Sequence, residues 1–111
     1  MSKFDQVVDA CKAQMEKYDI ECDEALLTAI ARSLGPSIYN RDSSLVAAGN
    51  KAEIEGVKKN FVAKKLGVEG EEADSAIAAA IEKIGQSNRQ KLRPVFYYLI
   101  VKHLGKESVY A

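Results

Sequence analysis

His103 is the chain's only histidine, and so the one side chain whose ordinary pKa suits proton transfer near neutral pH. The serines that could serve it, Ser43 and Ser44, stand sixty residues earlier beside Asp42. Asp42-Ser43-Ser44 reads as a helix cap rather than a relay. Asp19, Glu21 and Asp23 alternate like the opening of a calcium loop. That loop needs glycine where Glu24 stands and a bidentate Glu where Ile30 stands, so the resemblance fails. No His/Cys cluster has zinc spacing and no glycine-rich phosphate loop occurs. Cys11 and Cys22 have no Cys-x-x-Cys partner, and both read as free thiols, Cys11 as core filler. The sequence therefore offers no catalytic residue, no cofactor site and no metal ligand.

Two basic features could bind. Lys51, Lys58 and Lys65 recur every seven residues and share one side of a helix, where their stems can cover the edge of a core. The second feature is Ser87-Asn88-Arg89-Gln90-Lys91-Leu92-Arg93, which opens the last helix. Other helix starts carry acids, which suit the positive end of the helix dipole. This one carries three bases, and no acid occurs from Lys83 to Lys106. Ser87, Asn88, Arg89 and Arg93 are thus a candidate anion site, with Arg89 and Arg93 on one face. The alternative is an internal carboxylate, from either Asp19–Glu24 or Glu69–Asp74.

The elements that hold these residues are marked by four glycines. Leu34-Gly35, Leu66-Gly67, Ile84-Gly85 and Leu104-Gly105 each end an amphipathic pattern carrying a base near its end. Helix one runs from Lys3 to Tyr18, with Ser2 and Asp5 as a capping box. Helix two opens at Asp23 and ends before Gly35. A short helix, capped by Asp42 and stopped by Gly49, is expected over Ser43–Ala48. Asn50 and Glu53 form a second capping box, opening a helix to Leu66 with Ile54, Val57 and Phe61 inward. Glu71–Ile84 follows, and the last helix starts after Ser87. Val109 and Tyr110, in the tail, are expected to dock on the bundle.

The last helix is the most apolar stretch. Pro94 to Val101 carries no charge. At 100° per residue, Leu92, Val95, Phe96, Leu99 and Ile100 cover one broad face. Tyr97, Val101 and Leu104 form a second, and only Lys91, Tyr98 and Lys102 share a wet stripe. A helix apolar nearly all round belongs inside a bundle, and this one is too short to span a membrane. Pro94 requires either a kink or a break that it opens. The expected fold is all-α: a single domain over residues 1–111, five main helices plus one short one, with the last helix central.

Length, charge and composition bound the function. The chain has 111 residues, and sixteen acids balance sixteen bases. It has no overall attraction to nucleic acid or membrane. The absence of a secretory or membrane segment points to the cytoplasm.

Leu34-Gly35-Pro36-Ser37-Ile38-Tyr39-Asn40, Asp42-Ser43-Ser44-Leu45-Val46-Ala47, Lys58-Lys59-Asn60-Phe61, Lys64-Lys65-Leu66-Gly67 and Phe96-Tyr97-Tyr98-Leu99, with the ending Gly105-Lys106-Glu107-Ser108-Val109, carry a resemblance. Together they resemble a small bacterial family of unknown function over nearly the whole chain. The resemblance implies a stand-alone, soluble, all-helical domain and offers no catalytic residues. The expected function is a non-catalytic helical module that binds a protein partner or weakly self-associates through Tyr97, Val101 and Leu104. One alternative is a binder of a small anion or nucleic-acid phosphate at the basic helix start; another is a small enzyme.

Overall fold

The structure is a computed structural model that describes residues 3–39, 45, 46, 49–85 and 91–110. The chain forms α1 (Lys3–Lys17), α2 (Glu24–Ser33) and a 3-10 turn over Gly35–Tyr39. Next comes α3 (Lys51–Gly56), which runs directly into a π-helical stretch, Val57–Ala63. Then follow α4 (Glu71–Ile84), α5 (Arg93–Leu104) and a closing 3-10 turn, Glu107–Tyr110. The fold is all-α, and the described residues contain no strand beyond one isolated bridge between Leu45 and Leu92.

α5 is the hub. It packs against α4, α2 and α1. Val95, Phe96, Ile100 and Val101 are fully enclosed, and Tyr97 and Tyr98 are buried beside them. This follows from a helix that has almost no polar face to turn toward water. α1 contributes Val8, Cys11 and Met15, and α2 contributes Leu26, Leu27 and Ile30. α4 contributes Ala73, Ala76, Ile77, Ala80 and Ile84. Its alanines let it lie close along α5.

The glycine stops hold. Gly35, Gly67, Gly85 and Gly105 all carry positive φ. At Gly105 the backbone is left-handed (φ 65°, ψ 34°), and its N–H returns to the end of α5. A side chain there would be strained. Caps hold too: Asp23 accepts from the Leu26 N–H at 3.2 Å, and Asn50 from the Glu53 N–H at 3.2 Å.

Three expectations change. α5 starts at Arg93, not after Ser87, so Pro94 sits in its first turn, where the missing N–H costs nothing. Leu92 before it is extended, its N–H donating to Gln14 Oε1 at 3.1 Å, while the Lys91 carbonyl accepts from the Val46 N–H at 2.8 Å. The wet stripe also shrinks to Lys102, since Lys91 and Tyr98 are each 1% exposed. Tyr98 is buried because its hydroxyl is satisfied. It donates to the Glu21 carbonyl and accepts from the Asp23 N–H, both at 2.8 Å, tying the α1–α2 turn to α5. Finally, the helix expected to Leu66 turns π at Val57. The Leu66 N–H reaches the Phe61 carbonyl, five residues back, at 3.1 Å. The short helix expected over Ser43–Ala48 falls largely outside the described residues, as do Ser2 and Asp42.

Leu99 is only half-buried, whereas Ile100 is enclosed. Ile100→Ala should therefore cost about 2–5 kcal/mol in urea denaturation, and Leu99→Ala distinctly less. Equal losses at the two positions would contradict the placement of α5.

Candidate functional site

The basic start of the last helix resolves into a clasp at Arg93. Its guanidinium donates to Glu53 Oε1, to the Tyr97 hydroxyl at 3.0 Å and to the Leu45 carbonyl at 3.2 Å. It also lies 5.7 Å from the centre of the Tyr97 ring. The Arg93 side chain is 13% exposed and that of Glu53 is 29% exposed. Burial alone pulls the Arg93 pKa down. The hydrogen bonds to Glu53 and Tyr97 outweigh it and hold the group above its ordinary value. Arg93 is thus engaged internally, and its acid comes from α3 rather than from Asp19–Glu24 or Glu69–Asp74. Ser87, Asn88 and Arg89 lie outside the described residues.

The expected partner face is largely covered by the chain itself. Tyr97 is 7% exposed and Val101 0%, while Leu104 is half-buried. The expectation of an uncovered stripe is corrected by two neighbours. α4 packs along α5, and Phe61 stacks on Tyr97 with ring centres 4.0 Å apart and planes 18° from parallel. Phe61 belongs to the π-helical stretch. Five-residue spacing brings Val57 over Val62 and Phe61 over Leu66, and all four are buried. At α-helical spacing, residues five apart would diverge by about 140°.

Beside the stack lies a recess. Phe61 and Tyr97, both buried, form its floor together with Leu34 from the end of α2. Ser33, Asn60, Lys65 and Tyr110 complete the lining of a cleft of about 230 Å³. Each comes from an element end or an irregular turn. Ser33 closes α2 and donates to the Ile30 carbonyl at 2.7 Å. Asn60 is exposed by the π-helical stretch, and Lys65 follows it. Tyr110 is delivered by the closing 3-10 turn. The Lys65 ammonium sits 5.4 Å from its ring centre. Burial pushes the Tyr110 phenol above its ordinary pKa, offset in part by Ser33. Among the cleft residues, the sequence marks Tyr97 as a contact, Lys65 as a basic stripe member and Tyr110 as docking, whereas Ser33 and Asn60 carry no site signal in it.

A second depression of about 390 Å³ gathers His103, Leu104, Glu71, Glu72 and Ser75 where α5 ends over the start of α4. Its four polar side chains are all exposed, so water screens any charge effect between them. Among the described residues, no three His, Cys, Asp or Glu groups converge on a metal-sized site. No described helix is long and apolar enough to cross a membrane.

A family model described as a protein of unknown function, DUF2853, matches residues 10–108. The chain belongs to the DUF2853 family. A search of curated proteins found no match. The match takes in α2 to α5 whole, and with them every lining residue of the DUF2853 cleft except Tyr110.

Two outcomes test this description. A double-mutant cycle of Arg93→Met and Glu53→Gln should give a coupling of about 1–3 kcal/mol by urea denaturation. A value below about 0.5 kcal/mol would make the clasp no more than a surface ion pair. The second test concerns Cys11, which is fully enclosed in α1. Burial pushes its thiol up to about 12 from an ordinary 9.0. Between those values the unfolded chain has released this proton and the native chain holds it. Stability therefore falls as pH rises through that window. From pH 7.5 to 10 the parent should lose about 1.4 kcal/mol more than Cys11→Ala does, since one pH unit above the unfolded pKa is worth that much. Parallel pH profiles would contradict the buried thiol.

Proposed function

We propose that this DUF2853 chain is a non-catalytic protein-interaction module that receives a side chain of a partner protein in the cleft beside the π-helical stretch. The cleft's form carries the proposal. Small-molecule sites usually enclose about 300–1,000 Å³. This cleft has about 230 Å³, lies open at the surface and has an aromatic floor with polar groups at its rim. That suits one inserted side chain better than a whole cofactor or metabolite. Aromatic and apolar anchors seated in pockets, ringed by polar contacts, are the usual source of affinity at protein interfaces. The irregular backbone agrees, because π-helical turns often sit at functional places.

The interaction reading outranks the others on placement. The arginine expected to bind an anion is occupied by Glu53. The groups best suited to moving protons, His103, Glu71 and Glu72, face solvent without an enclosed space between them. Two free thiols, one of them exposed, fit a reducing cytoplasm as the place of action.

Asn60 is exposed at the mouth of the cleft, so Asn60→Arg should obstruct it while leaving the fold intact. Immobilised parent and variant would be compared for proteins retained from a lysate of the source organism. Light scattering of both would reveal self-association. A partner, or a dimer, that forms with the parent and is lost with the variant is the expected result. Retention unchanged by Asn60→Arg would remove the cleft from the interface.

A further inference from the structure

The cleft's described lining holds one cation and no acid. Lys58, in the π-helical stretch, is paired with Asp74 at 2.8 Å. Lys65 has no such carboxylate among the described residues, and its contact is the ring of Tyr110. Glu53, the acid on α3 that turns inward, is held by Arg93. Lys58 and Arg93 are thus paired with acids, while Lys65 puts a positive charge at the rim of an aromatic recess.

Resting on the interaction reading above, we propose that the cleft recognises an acidic linear segment bearing an aromatic residue. The ring enters over Leu34 and against Phe61 and Tyr97, in the offset or edge-on contact aromatic pairs prefer. A carboxylate beside it meets the Lys65 ammonium. Asn60 at the mouth offers an amide donor and acceptor to the segment's backbone. Charge complementarity selects the acidic segment. A basic one would bring like charge to Lys65, and a nucleic acid would find a single lysine where phosphate binding needs several.

The test uses four synthetic peptides, each capped at both ends: Gly-Glu-Phe-Glu-Gly, Gly-Gln-Phe-Gln-Gly, Gly-Glu-Ala-Glu-Gly and Gly-Lys-Phe-Lys-Gly. Each is titrated into labelled full chain, following the amide signals of Ser33, Asn60, Lys65 and Tyr110 by NMR. The acidic phenylalanine peptide should bind at these signals about two- to fivefold tighter than its glutamine counterpart, the size of one exposed ion pair. Lys65→Gln should erase that difference, as should high salt. Lys65 is exposed, so the variant folds, which an unchanged melting curve would confirm. The alanine peptide should leave the signals in place.

If acidic and neutral phenylalanine peptides bind the cleft equally, the charge assignment is wrong while the cleft remains an interaction site. If the alanine peptide binds as well as the phenylalanine one, the aromatic anchor is wrong. If no peptide moves these signals, the acidic aromatic segment is not the ligand. The partner-capture comparison with Asn60→Arg then decides the interaction reading by itself.

Discussion

A helix with almost no polar face must be surrounded, and once surrounded its charged end has nowhere wet to go. That is the situation of α5. Val95, Phe96, Ile100 and Val101 leave no room for solvent, and Arg93 stands at the first position of the same helix. A cation at a helix start is already poorly placed against the dipole. Largely removed from water, it must be well hydrogen-bonded. Glu53, the Tyr97 hydroxyl and the Leu45 carbonyl supply those bonds, and each comes from a different part of the chain. The clasp therefore sets where α3 lies relative to α5. Through α3 it sets the position of the π-helical stretch that continues from it.

The π-helical stretch then decides what the surface looks like. Its wider turn aligns residues five apart, and Phe61 reaches Tyr97 while Leu66 packs inward. Such turns are intrinsically unfavourable and persist where packing requires them. Here the requirement is visible. The stacked pair covers the second face of α5, which would otherwise be an exposed apolar stripe of the kind that drives association. What remains reachable of the stacked pair lines the cleft floor.

Much of the architecture was legible because it is carried by local chemistry. Gly35, Gly67, Gly85 and Gly105 stop helices by backbone conformation alone, and Asp23 and Asn50 cap them with their own side chains. The centrality of α5 was legible from its composition. Less visible were features that depend on distant partners. Tyr98 looks like a wet residue until the Glu21 carbonyl and Asp23 N–H appear opposite its hydroxyl. Glu53 sits where a capping box wants it, and its carboxylate instead reaches Arg93, forty residues on. The change from α to π spacing at Val57 has no residue signature, so the burial of Val62 was missed, and with it the geometry that forms the cleft.

The cleft illustrates why a site of this kind escapes a reading by motif. Its seven lining residues come from the end of α2, the π-helical stretch and the turn after it, α5 and the closing turn, and they share no catalytic or metal-binding motif. Catalytic and metal sites need fixed residue types at fixed distances, so their patterns survive in sequence. An interaction cleft needs only an apolar floor, a polar rim and an uncancelled charge. Many residue combinations satisfy that, and what distinguishes one is which charges the fold has already used. Lys58 and Arg93 are spent on Asp74 and Glu53. Among the described residues Lys65 is held by the face of Tyr110, a contact that an incoming carboxylate can add to without first displacing another acid. On the interaction reading we propose, what the cleft offers a partner is the remainder after internal pairing, a quantity that only the folded arrangement defines.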